Sequence, residues 1–555
     1  MRKIFTRKKI MQHVLRPYND VNKAAFVVGI LSLLSLVFGL IRSRLMVGVL
    51  GVGGDLDVFK ASFVIPNILF AFGASLASIT VLIPFLNERL HAEDNSIYKA
   101  KHFLSIVFTA FIVGMIVLII VLMIIMPWLA PQIGIGFSSD QIDMLVKTGR
   151  IMLISPLLLG ISNLFGSVTQ IYKKFIVYAL SPILYTIGII LGIIFLYPKF
   201  GLIGLSFGVL IGAFLHMLVH IPVLLQKGLI PEWAHAFDWR LVWSVIKLAL
   251  PRALALSLVQ ITLGVFTSVA TRVGDGALSI FDYALTFSAI PLAVVGVSYS
   301  VVAFPRLVEL YESGEVQEFI KELIQPLQSI IEWSLPLIVV FVVFRAHFVR
   351  IVLGVDGFTW ADTRLTAALM AIMVVAVAAR GLTGLLVRGF YAAQKTWMPL
   401  YINITATVTT ISLAYVGMAL VKKYPDVWAM ILEALRASHL VQNEILVLAI
   451  AFTIGAYFNS FLLLYFFKRI FQQYTIKLWG SKVRNSLIFS LILGLTCYGA
   501  LNLFAPYIPL DNLLNVILHA AASGIVGLML SLLIGIYFRI VPLNVREYLA
   551  KYKIR

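Results

Sequence analysis

Arg42, Lys60, Arg252, Arg380 and Arg388 point to chemistry, because each lies within a long apolar stretch of the chain. A cation at the centre of a membrane helix costs roughly 2.5 to 3.5 kcal/mol on insertion scales, so it is normally kept for a water-filled cavity, a pathway or a partner. Arg44 stands beside Arg42, while Asp282 and Glu332 are the only acids well inside the apolar runs, which leaves that interior net cationic. If several of these cations face one cavity, its natural occupant is an anion such as a phosphate or pyrophosphate, for which the guanidinium offers a bidentate fork. The plain alternative for each cation is snorkelling to the interface or bonding to a broken helix.

No enzyme constellation accompanies these charges. The chain has no Walker loop, no H-E-x-x-H and no cysteine cluster, since Cys497 is its single cysteine. Gly51, Gly53 and Gly54 read as a tight turn between helices rather than a phosphate loop. His216 and His220, one helical turn apart, have ligand-like spacing, yet without a nearby acid they read as interfacial. No cofactor is expected, and any driving force is expected from the membrane potential or a monovalent cation.

The elements that position these residues follow from composition. With 61% hydrophobic and 12% charged residues among 555, the chain is an all-α protein of the bilayer. Apolar stretches of about 20 residues or more number about fourteen between residues 24 and 538. Lys and Arg concentrate on the side shared by both termini, which places residues 1–23 and 539–555 in the cytoplasm as basic tails and makes 1–23 an uncleaved tail rather than a signal peptide. The net charge of +19 is therefore mostly this asymmetry plus attraction to anionic lipid, not nucleic-acid binding.

The chain also repeats itself. Pro84, Leu86 and Glu88 return as Pro305, Leu307 and Glu309, 221 residues on, and Tyr172–Lys174 returns in the Tyr391–Lys395 turn about 219 residues on. Ile211–Phe214 returns as Ile454–Tyr457 after 243, so Lys422–Ile445 reads as an insertion outside the membrane, with Trp428, Ile431, Leu432 and Leu435 on one face of a short amphipathic helix. Two six-helix lobes of the same topology, 24–228 and 243–467, are the parallel repeat that secondary transporters use, with the route between the halves. A further pair, 486–538, falls outside the repeat. Prolines at 66, 156, 182, 251, 291 and 336 interrupt apolar helices and are candidate hinges.

The motifs Gly39–Arg42 (G-L-I-R), Gly51–Asp57 (G-x-G-x-x-x-D), Ile65–Asn67 (I-P-N) and Gly389–Gln394 (G-F-Y-A-A-Q) resemble those of the MurJ lipid II flippases in the MOP transporter superfamily. The resemblance covers nearly the whole chain. It implies a cationic central cavity, a groove for the polyprenyl tail formed by the last helix pair, and passage of the lipid-linked peptidoglycan precursor by alternating access, with membrane lipids as the other partners; the oligomeric state is open, with a monomer expected. It puts Arg42 and Asp57 on functionally important family positions. Leu36, Phe70 and Thr286, however, stand where family arginines are usual, so anion binding falls to Arg42, Lys60, Arg252, Arg380 and Arg388. Asp57, Pro66, Asn67 and Asp282 are then gating or structural. For the sodium site of some members only Asn403 and Thr405 offer oxygens here. A flippase for another polyprenyl-pyrophosphate oligosaccharide is the nearest alternative; a MATE-type drug antiporter exporting cations suits a cationic interior less well.

Overall fold

A computed structural model describes residues 21–540 except 77–78, 91–95, 235–237, 435–436, 439, 473–477, 479 and 539. The chain divides into two compact units, Met1–Gly276 and Ala277–Arg555. The first unit holds α1 (Val21–Leu50), α2 (Gly54–Ala61), α3 (Val64–Leu76), α4 (Ile79–Leu90), α5 (Ser96–Ile133), α6 (Ser139–Met152), α7 (Ser155–Ile171), α8 (Phe175–Leu191), α9 (Tyr197–Leu218), α10 (Ile221–Lys227) and α11 (Trp239–Ala270). In the second unit are α12 (Ala277–Leu292), α13 (Ser298–Glu312), α14 (Val316–Val343), α15 (Arg345–Leu353), α16 (Trp360–Val375), α17 (Val377–Ala392), α18 (Trp397–Lys423), α19 (Pro425–Ala434), α20 (Leu446–Ile470), α21 (Ser481–Phe504) and α22 (Leu513–Tyr537). Among the described residues there is no strand. Both basic tails lie outside the described residues, apart from a few at their inner edges.

Among the described residues, twelve helices are long and apolar enough to cross a membrane, and the pair α16 and α17, bent by 42°, counts as a thirteenth if it is one span. One of the twelve runs for 53 residues, Phe175–Lys227. Straight, it would rise about 80 Å against a hydrocarbon core of about 30 Å. It folds back instead at Gly201, where φ is 57° and ψ is −142°, a conformation suited to glycine. Counted as two crossings, it brings the total to fourteen.

The hairpin of α8 and α9 is closed by backbone against backbone. A Cβ at Gly188 would strike Gly212, one at Gly192 would lie 2.6 Å from the Gly208 Cα, and one at Gly204 would strike the Leu196 carbonyl. These pairs are mirror images about residue 200. Small residues four apart let two membrane helices approach in this way.

Local geometry recurs between the units. Lys174 N donates to Thr169 O at 2.9 Å and Lys395 N to Phe390 O at 2.8 Å, and the preceding Lys173 and Gln394 both have positive φ, 55° and 57°. The equivalent residues are therefore Lys174 and Lys395, which makes the offset 221 here rather than 219. Leu86 and Leu307 are both fully buried. Beyond the insertion, Gly417 approaches Val447, the pair that Leu196 and Gly204 become when shifted by 221 and 243 residues, and Gly455, the equivalent of Gly212, approaches Thr410, one residue past the equivalent of Gly188.

α11, placed by the repeat at the head of the second lobe, packs on α3 and belongs to the first unit; a Cβ at Gly264 would lie 2.9 Å from Val64, and this close seam holds the helix there. Pro66 does not break a helix interior. The break falls at Ser62–Phe63, and Pro66 sits in the first turn of α3, where its missing N–H leaves no bond unmade.

The insertion forms α19, only ten residues long. Trp428 and Leu432 are buried, and Trp428 Nε1 donates to Asn443 Oδ1 at 2.9 Å. Ile431 is exposed, and Leu435 lies outside the described residues. α21 and α22 pack as a hairpin against α14 and α15. The Thr496 hydroxyl donates to Gly527 O at 2.8 Å, and His347 Nε2 meets His519 Nδ1 at 2.9 Å in the buried seam between α15 and α22.

Candidate functional site

Asp57 is fully buried, and its Oδ2 accepts the backbone N–H of Gly276 at 2.8 Å. Gly276 has a φ of +85°, and a Cβ there would lie 2.6 Å from the Val52 side chain. The turn after α11 is thereby pinned to the glycine-rich turn before α2. Neighbouring bonds reinforce the junction. The Ser268 hydroxyl donates to Gln132 O, Gly136 leaves no room for a Cβ beside Thr271 O, and Gly54 leaves none beside Gln141. Asp57 thus makes a buried structural bond, whereas Asn67 is exposed on α3.

The cations of the first unit are spread along it. Arg42 and Arg44 are half-buried on α1, Lys60 is half-buried in the last turn of α2, and Arg252 is half-buried one residue past Pro251 in α11. The Arg42 guanidinium is within electrostatic reach of the Tyr185 phenol. Tyr185 in turn meets the His216 ring edge-on at 6.4 Å. By the repeat offset of 221, Arg252 is equivalent to position 31, eleven residues from Arg42, or about 16 Å along a helix. The two arginines thus stand at different depths.

In the second unit Arg380 and Arg388 share α17, eight residues and about 12 Å apart. The Arg380 guanidinium lies 5.2 Å from the Phe452 ring centre, and its Nη1 is buried without an acceptor among the described residues. A buried donor left without an acceptor is costly. Asp282 is half-buried on α12, and its carbonyl accepts the Thr286 hydroxyl at 2.9 Å.

Asn403 and Thr405 do not fit a sodium site. Two residues apart on α18, they point about 200° away from each other. Asn403 Oδ1 accepts Asn459 Nδ2 at 3.1 Å, and the exposed Thr405 hydroxyl donates to Tyr401 O. Among the described residues no group of three or more His, Cys, Asp or Glu converges.

One polar cluster was not foreseen as a site. Ser162 Oγ lies 2.8 Å from His216 O and 2.6 Å from His216 Nδ1. The carbonyl can only accept, so the hydroxyl donates to it and Nδ1–H donates to the hydroxyl. Thr169 binds Phe165 O and His220 Nδ1 in the same way, at 3.1 and 3.0 Å. Both rings face a polar cavity of about 310 Å³ shared with Ser35, Asn163 and Tyr178. The histidine spacing was visible in sequence; the hydroxyl partners, on another helix, were not.

Residues 46–518 match the family model for the lipid II flippase MurJ. The chain belongs to the MurJ family. Among its MurJ relatives, the lipid II flippase of Burkholderia cenocepacia is 25% identical over 415 residues, covering 72% of this chain and 78% of that protein. A probable lipid II flippase MurJ of Rhizobium tropici is 27% identical over 390 residues, covering 68% and 72%. A solved MurJ structure in an inward closed conformation matches with a TM-score of 0.70 at 20% identity, over 93% of this chain and 99% of that one. An inward-facing MATE transporter of the MOP superfamily matches at 0.62, with 14% identity, over 79% and 95%. The chain, a multi-pass helical membrane protein, thus shares its fold with that MATE transporter as well.

Proposed function

We propose that the chain flips lipid II, the lipid-linked peptidoglycan precursor, from the inner to the outer leaflet of the cytoplasmic membrane by alternating access. The match to the MurJ family over residues 46–518 carries this reading. The cations suit the substrate: Arg42, Arg252, Arg380, Arg388 and Lys60 would receive the pyrophosphate and keep the charged headgroup out of hydrocarbon, where an unpaired charge is prohibitive. The different depths of Arg252 and Arg42 support successive engagement, the first nearer the cytoplasmic end of its helix and the second nearer the other end. The tail stays in lipid throughout.

Both termini are assigned to the cytoplasm by the excess of basic residues on their side. The membrane potential, worth roughly 2.3 kcal/mol per charge per 100 mV, suffices to reset a path that carries net positive charge. The MATE likeness supports no cation cargo, because the interior has the wrong sign for one. The protein acts as a monomer and catalyses no covalent step.

Complementation of a strain depleted of its own peptidoglycan flippase is the direct test. Growth with normal cell shape is expected. Failure at normal membrane abundance, together with transport of another polyprenyl-pyrophosphate oligosaccharide in proteoliposomes, would move the assignment to that substrate.

A further inference from the structure

The two units treat one helix pair differently. In the first, α8 and α9 are zipped by glycines at 188, 192, 208 and 212. In the second, the equivalents of Gly192 and Gly208 are Leu413 and Ala451, and the equivalent of Gly204 is Val447. α18 and α20 stay close at Gly417 and Val447, and the insertion lays α19 alongside the pair. The result is an apolar groove of about 450 Å³ walled by α18, α20 and the Trp428 face of α19.

We propose that this groove binds one acyl chain of an anionic glycerophospholipid. Its depth fits a single leaflet: along α18 it runs from Leu413 to Tyr424, a rise of about 16 Å against about 15 Å for half the hydrocarbon core. Its side is open, since Val416, Leu420 and Ile431 are exposed, while Val447, Ala451 and Trp428 form a buried back wall. A chain enters from the bilayer without unfolding anything. The mouth carries Lys422 and Lys423 in the last turn of α18, against Asp426 in the first turn of α19, which leaves one net positive charge. The Lys423 ammonium lies 5.4 Å from the ring centre of Tyr424, a groove residue, and so stands at the mouth. A phosphodiester headgroup fits there. One net charge corresponds to about a fivefold preference over a zwitterionic lipid. A long polyprenyl chain exceeds a groove one leaflet deep.

The test uses the full chain in proteoliposomes with phosphatidylglycerol or phosphatidylcholine carrying a photoreactive group on one acyl chain, and labelled positions read by mass spectrometry. Labelling between 413 and 454 is expected to exceed that on the exposed apolar face of α5 at Ile116, Val117, Ile120 and Val121, with the phosphatidylglycerol probe ahead about fivefold. Leu420→Trp, which fills the open side, removes the excess. Lys422→Gln with Lys423→Gln abolishes the headgroup preference while chain labelling persists. Equal labelling of the groove and the α5 face in the parent protein overturns the proposal without recourse to any variant. So does displacement by a polyprenyl phosphate at concentrations where unlabelled phosphatidylglycerol does not compete.

Discussion

The carboxylate of Asp57 and the backbone N–H of Gly276, 219 residues apart in sequence, are joined by a buried hydrogen bond of 2.8 Å. The two turns that it ties together are equivalent in the repeat, since Val52 and Gly53 recur as Val273 and Gly274. The chain thus links the turn after its first spanning helix to the turn after its seventh. Asp57→Ala leaves the Gly276 N–H buried without this acceptor, at a cost of about 1–3 kcal/mol. Asp57→Asn keeps an oxygen in place and is expected to lose less. Thermal melting in detergent ranks the variants; equal melting of Asp57→Ala and parent would show that the bond contributes nothing.

Transport depends on the arginines if the proposed function holds. Arg42→Ala and Arg252→Ala are each expected to lower flipping in proteoliposomes at least about tenfold, the scale of a lost charge-assisted hydrogen bond, at normal membrane abundance. Arg42→Lys retains part of the rate, because the charge remains and the fork does not. Parental rates in both alanine variants would make these arginines structural.

Gly192→Leu forces a side chain into the Gly208 backbone and is expected to cost at least about 1–3 kcal/mol by overpacking. Gly29→Ala is the control, because nothing lies within 4 Å of a Cβ there. If both variants melt with the parent, the hairpin is not held by its glycines.

His347 makes the seam between α15 and α22 sensitive to acid. Burial first, and the neighbouring His519 second, push its pKa down to about 4 from the ordinary 6.5. The folded state therefore holds this ring neutral, and its stability is fully present above about pH 6.5 and lost as pH falls toward 4. His519 Nε2 faces Leu501 O at 3.2 Å, and Arg345 is the other basic group in the first turn of α15. Melting is expected to fall between pH 7 and pH 5 in the parent and to flatten in His347→Gln. An unchanged slope in that variant would place the acid sensitivity elsewhere.

Much of this fold was legible because membrane spans and repeats write themselves in composition and spacing. The insertion was betrayed by the offset rising from 221 to 243, and the pair Gly417–Val447 obeys that rise. Features that depend on which surface meets which were not legible. The seam that draws α11 to α3 is made by Gly264 and Val64, residues ordinary in any apolar helix. The hydroxyls of Ser162 and Thr169 find their histidines only once α7 and α9 pack. The failure of Asn403 and Thr405 to converge could have been read from their spacing of two.

The fold-back at Gly201 bears on how the chain reaches the bilayer during synthesis. α8 leaves the ribosome first, yet the glycine face it carries is matched only by α9, so the two enter as one looped unit rather than in turn. At the apex, Tyr197–Gly201, Lys199 is the one charge to be drawn across, a toll of about 3 kcal/mol at most. A single-residue deletion at that apex leaves every codon after it in frame and puts the glycines of α9 out of register with those of α8, a lesion of biogenesis.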